Sequence, residues 1–179
     1  MSDRQQGAGL TDGPPRAVLI AAVAFASAVV AAVLVVAAIG RHPHSGPVVI
    51  PALATPAAAS PQCQRLLAAL PPQLGDYRRV TPAAPAPPGA AAYSGGGPEP
   101  LVLRCGLDRP VGFVVGVPIQ VVDAVQWFDA GGGMWVAVDR PVYIALTLPH
   151  GAGPTPIQQM SDLVAATLPA VPIRPGPPA

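Results

Sequence analysis

Hydrophobic and polar positions change their spacing several times along the chain. From 17 to 39 they do not alternate at all: 23 residues carry no charge and a single hydroxyl, Ser27, between Arg16 and Arg41. At about 1.5 Å of rise per residue this run makes a helix of roughly 35 Å, enough to cross a hydrocarbon core of about 30 Å. Further on, Cys63, Leu66, Leu67 and Leu70 recur at i, i+3, i+4 and i+7. That spacing predicts a short helix, entered through Ser60-Pro61 as N-cap and first-turn proline and stopped by Pro71-Pro72.

The spacing then drops to two. Leu101, Leu103, Cys105 and Leu107 alternate with Val102, Arg104 and Gly106, and alternation returns over 111–117, 121–128, 134–139 and 142–148. These segments predict about five mostly antiparallel strands. Thr155-Pro156-Ile157-Gln158 reads as a capping box, after which Ile157, Met160, Leu163, Val164 and Leu168 restore the helical period. The expected fold class is therefore α+β: one N-terminal transmembrane helix, then a small two-layer domain of about five strands and two helices.

Between these elements the chain is rich in proline and glycine, 26 and 19 residues in all. The expected organisation is a cytoplasmic tail at 1–16, a transmembrane helix at 17–40, a Pro/Ala-rich tether at 41–60 and a folded domain at 61–169. Within that domain 81–100 reads as a Pro/Gly-rich loop, and 170–179 as a disordered Pro-rich tail. A tether extended at about 3.1 Å per residue would reach roughly 60 Å. Its one apolar interruption, Val48-Val49-Ile50, is expected at the membrane interface.

A cleavable signal peptide is the rival to an anchor, but its apolar region usually runs about 7–15 residues to a small-residue site. Here the run is longer and ends in Gly40-Arg41-His42-Pro43, so an uncleaved signal-anchor is expected. Arg4 and Arg16 before the span favour an inside N-terminus. Both cysteines, Cys63 and Cys105, lie beyond the span, each on the leucine-bearing face of its element. An even pair in a small domain suits an oxidising compartment, and a bridge would close a 43-residue loop. The alternative is two buried, reduced thiols. Ala24, Ala28 and Ala32 form a small-residue ridge that could support a weak homodimer.

All ten basic residues are arginine, which excludes lysine-dependent chemistry. From 61 onward seven arginines face seven acidic residues, a balance that argues against nucleic acid. No cofactor or metal is expected: His42 and His44 lack companion ligands, and no Gly-x-Ser-x-Gly elbow accompanies His150. Gly95-Gly96-Gly97 and Gly131-Gly132-Gly133 lack the context of a phosphate loop. Asp123, Asp129 and Asp139 are candidates for a carboxylate pair, with solvated strand ends as the plainer reading. Arg104 and Arg140, in or beside strands, read as structural ion pairs before anion sites. Trp127 is expected in the core; Trp135, expected outward, and Arg140 are possible partner contacts.

Arg104-Cys105-Gly106, with the N-terminal span, the upstream Cys63 helix, the Trp127 segment and Asp139-Arg140-Pro141-Val142-Tyr143, resembles an uncharacterised family of membrane or secreted proteins from high-G+C Gram-positive bacteria. That family is a domain of unknown function, number 3515, marked by an Arg-Cys-Gly motif. The resemblance implies an envelope location and no activity. The leading functional expectation is a single-pass membrane protein, N-terminus inside, presenting an extracytoplasmic binding or assembly module to an envelope protein partner. One alternative is an envelope hydrolase or transferase using the strand-end carboxylates. Another is a transmembrane subunit of a larger membrane complex.

Overall fold

The computed structural model describes residues 16–40, 47–95 and 97–178; the tail at 1–15, His42 and His44 lie outside the described residues. The chain divides into two units, 1–41 and 42–179. In the first, α1 spans Arg16–Gly40, 25 residues or roughly 37 Å of helix. Its described side chains, 17–36, are all exposed. The lone hydroxyl, Ser27, donates back to the Val23 carbonyl at 2.6 Å, so no side-chain polar group is left to water. This helix is apolar enough to span a membrane or to serve as a signal sequence.

In the second unit, Ser60 caps α2 (Pro61–Ala69) by accepting from the Cys63 amide at 3.3 Å. The strands are β1 (Gln73–Leu74), β2 (Tyr77–Val80), β3 (Ala90–Ser94), β4 (Leu101–Leu107), β5 (Gln120–Val122), β6 (Val125–Asp129), β7 (Met134–Ala137) and β8 (Tyr143–Thr147), and α3 (Thr155–Thr167) follows. They form one antiparallel sheet in the order β1-β2-β3-β4-β8-β7-β6-β5. Two four-stranded meanders thus meet where β4 pairs with β8, with Leu103 opposite Leu146.

The sheet has eight strands where the sequence pattern predicted about five. β2 and β3 were hidden because Tyr77-Arg78-Arg79-Val80 and an alanine run carry no apolar alternation. The single strand predicted over 121–128 is two, folded at Asp123, whose φ of 51° turns the chain. The strand predicted over 111–117 is not one. Gly116 lies at φ 93°, and the segment's pairing is reduced to an isolated bridge between Val114 and Gly176. The predicted capping box does not form either: Pro154 occupies the N-cap without a side-chain bond.

One face of the sheet carries α2 and α3 over Leu101, Leu103, Cys105, Trp127, Ile144 and Leu146. Irregular chain, rather than helix, covers the other. Ile50 packs on Ala92 and Val102, while Phe113 meets Phe128 at 5.5 Å between ring centres and is joined by Ile173. β4, lying beneath both covers, is consequently buried at six of its seven positions.

These covers correct the expected organisation. Part of the presumed loop at 81–100 is β3. Within the presumed tether, Val48 bridges Pro82, Ala83 donates to the Val48 carbonyl at 2.8 Å and Ile50 is buried, so Val48-Val49-Ile50 belongs to the domain rather than to a bilayer interface. The presumed tail is also docked: Val171 donates to Asp139 and Val115 to Gly176, at 2.9 and 3.0 Å.

Candidate functional site

Arg104, Cys105 and Gly106 sit side by side on β4 and meet three different demands. Cys105 faces the helices and is bonded to Cys63 on α2, with Cα atoms 5.6 Å apart and both residues wholly buried. Arg104 faces the other way. Its Nη2 donates to the Pro51 carbonyl at 3.2 Å and its Nη1 to the Thr147 hydroxyl at 3.5 Å. Burial pushes its guanidinium below the ordinary arginine value, because a desolvated charge is less favourable than a hydrated one. Gly106, at φ 90°, lets residues 57 and 58 cross the strand: a Cβ there would stand 2.4 Å from the Ala57 carbonyl carbon and the Ala58 nitrogen. The Ala57 amide donates to the Gly106 carbonyl at this crossing, at 3.0 Å.

Arg140, expected as a partner contact, is instead interior. Its side chain is 2% exposed; Nη2 donates to Ala124 at 2.8 Å, and Nη1 donates to the Asp139 carbonyl at 3.0 Å. The Asp139 carboxylate lies 2.9 Å from Nη1, in ion-pair contact without the alignment of a hydrogen bond. This group ties the β5–β6 turn to the segment after β7. Trp127 is core as expected, its indole N–H donating to Ser161 at 2.9 Å, and Ser161 in turn donates to Ile157. Ser161 drew no attention in the sequence because a lone helix serine carries no signal. Trp135 does not point outward. It is half-buried against the helix-side core and lines a cleft of about 570 Å³ with Val121, Leu148 and Ile157.

The three aspartates are dispersed. Asp123 lines the Trp135 cleft, Asp129 lines a different one and accepts from the Gly131 amide at 2.8 Å, and Asp139 is buried beside Arg140. His150 meets Glu99, which the sequence pattern did not single out. Glu99 accepts the His150 amide at 2.9 Å and also contacts its ring. These bonds, the backbone one foremost, hold the Glu99 carboxyl below the usual carboxylate range. Among the described residues no group of three or more His, Cys, Asp or Glu could hold a metal ion.

The cleft that Asp129 lines is a mainly apolar surface concavity. It measures about 430 Å³, with Leu53, Phe128, Met134 and Val136 in its wall and Val111 at its edge, 99% exposed. Asp108, Arg109 and Asp129 supply charge around it. Its walls come from the 47–54 cover, β6, β7 and the 108–112 turn. The irregular segments therefore build it, and no periodic pattern could have announced it.

A single apolar N-terminal helix followed by a cystine-stapled, antiparallel α+β domain defines the class. The chain belongs to the family described as Protein of unknown function (DUF3515), whose model matches residues 23–173. No curated protein and no solved structure matches it.

Proposed function

We propose that α1 stays in the cytoplasmic membrane with the N-terminus inside, and that the domain works outside it as a binding or assembly module for an envelope protein. The observation that carries this reading is the apolar cleft beside Val111, an aliphatic side chain left 99% exposed in the turn that follows β4 and bordered by charge. An apolar centre with a polar rim is the anatomy of a protein contact. The buried cystine supports the location, because such bridges persist in oxidising compartments and are rare in reducing ones. The partner supplies an apolar side chain or short segment that fills the cleft.

The test places a photo-crosslinking residue at Val111, or at Ala68 on the exposed side of α2 as control, in intact cells. One discrete protein adduct is expected at 111 and none at 68, and Val111→Asp should abolish the association measured by co-purification from membranes. Equal labelling at the two sites, or adducts only to cytoplasmic proteins, would refute the proposal.

A further inference from the structure

A third cleft, with none of the apolar cleft's lining residues, lies where the segment after β7 meets the C-terminal cover. It measures about 290 Å³ and is lined by Val138, Arg140, Tyr143, Val171, Pro172 and Arg174, among others. Arg140 is buried here and already paired with Asp139, so together they are close to neutral; the Arg140 Nε has no hydrogen-bond partner. Arg174 is exposed, and among the described residues it meets no carboxylate and makes no hydrogen bond. Tyr143 is half-buried and its hydroxyl likewise bonds to no protein group. The cleft thus holds one uncompensated positive charge, a free phenol donor and a wall of valine and proline.

We propose that this cleft binds a small organic monoanion, a carboxylate attached to a compact apolar group. A guanidinium fork matches a carboxylate by two parallel hydrogen bonds. The Tyr143 hydroxyl adds a third donor, and Val138, Val171 and Pro172 take the apolar group. The volume sits at the lower edge of small-molecule sites, which excludes polymers as whole occupants. The buried Arg140–Asp139 pair fixes the backbone on which Tyr143 and the segment at Val171 stand, since Val171 donates to the Asp139 carbonyl. Arg140 is therefore a positioning residue, and Arg174 the direct contact.

Full-length protein in detergent micelles, with valine methyl groups labelled for NMR, provides the test. Benzoate titrated to about 20 mM should shift the Val138 and Val171 methyls saturably, with a Kd of millimolar order or tighter. Benzamide, which has the same shape and no charge, should shift them little. Inorganic phosphate, which has charge and no apolar group, should bind more weakly than benzoate. Arg174→Gln, at an exposed position that leaves folding intact, should weaken benzoate about tenfold. Tyr143→Phe should weaken it by a smaller factor. No saturable shift, equal binding of benzamide or phosphate, or an unchanged affinity in Arg174→Gln would each overturn the proposal.

Discussion

Gly106→Ala isolates the physical demand made on the Arg-Cys-Gly tripeptide. A residue with a Cβ held at a left-handed φ costs about 1–2 kcal/mol. The new Cβ also falls 2.4 Å from backbone atoms of residues 57 and 58, which have no flexible end to swing away. Relief requires the crossing chain to lift, which breaks the 3.0 Å bond from Ala57 to Gly106. A broken, buried backbone bond costs about 1–3 kcal/mol, so the total comes to roughly 2–5 kcal/mol. Two controls separate the contributions. Gly151 has φ 75° and an added Cβ would meet nothing within 4 Å, so Gly151→Ala carries the conformational cost alone, about 1–2 kcal/mol. Gly153 has open space and no left-handed φ, so Gly153→Ala should be neutral or stabilising by about 0.4–1 kcal/mol. Denaturant unfolding of the full chain, followed by tryptophan emission, reads the domain alone, because both tryptophans, Trp127 and Trp135, lie in it. A Gly106→Ala variant within about 1 kcal/mol of Gly151→Ala would refute the close-approach argument.

Replacing both Cys63 and Cys105 by serine opens a 43-residue loop and should lower stability by about 4 kcal/mol on the chain-entropy account, measured as a fall in denaturation midpoint with a steeper slope, because the unlinked denatured chain is more expanded. Burial raises the Tyr93 phenol above its ordinary range, against a smaller lowering by Arg79, while its hydroxyl donates to Pro71 at 3.0 Å. The folded state therefore holds that proton more tightly than the unfolded chain does. The stability so contributed is complete below the unfolded value of about 10 and is lost as pH rises from there through the folded value. Alkaline titration of unfolding should show this limb, and Tyr93→Phe should remove its contribution, leaving that of Tyr77, which is raised by burial and by Asp76.

Where a single period governs a segment, the sequence pattern placed it well: α1, α2, β4 and α3 all stand where spacing put them, and so do the two cysteines. The losses have separate physical causes. Ala90–Ser94 is a buried strand whose small residues fit beneath the 47–54 cover, and small residues carry no alternating contrast. Conversely, Val111, Phe113, Val115 and Val117 alternate with Gly112, Val114 and Gly116, yet Val111 is 99% exposed because no strand lies beside it to pair with. Alternation reports compatibility with a sheet, not the presence of a partner. The candidate clefts were illegible for a related reason. Leu53, Val111 and Arg174 belong to irregular covers whose positions depend on long-range contacts alone.

Those covers also explain why three such dissimilar residues stand together at 104–106. On a strand, neighbouring side chains point to opposite faces. The chain leaving the second face at Pro51 must pass around β4, where β3 has already ended, to begin α2 on the first. Arg104 holds it on the second face through the Pro51 carbonyl, Gly106 lets it cross at Ala57, and Cys105 secures it on the first through Cys63. A single covalent or ionic clamp would leave the path between covers free to slide. Three consecutive positions pin it before, during and after the crossing, so the tripeptide is an architectural fastening, and the clefts are framed by the segments it fastens.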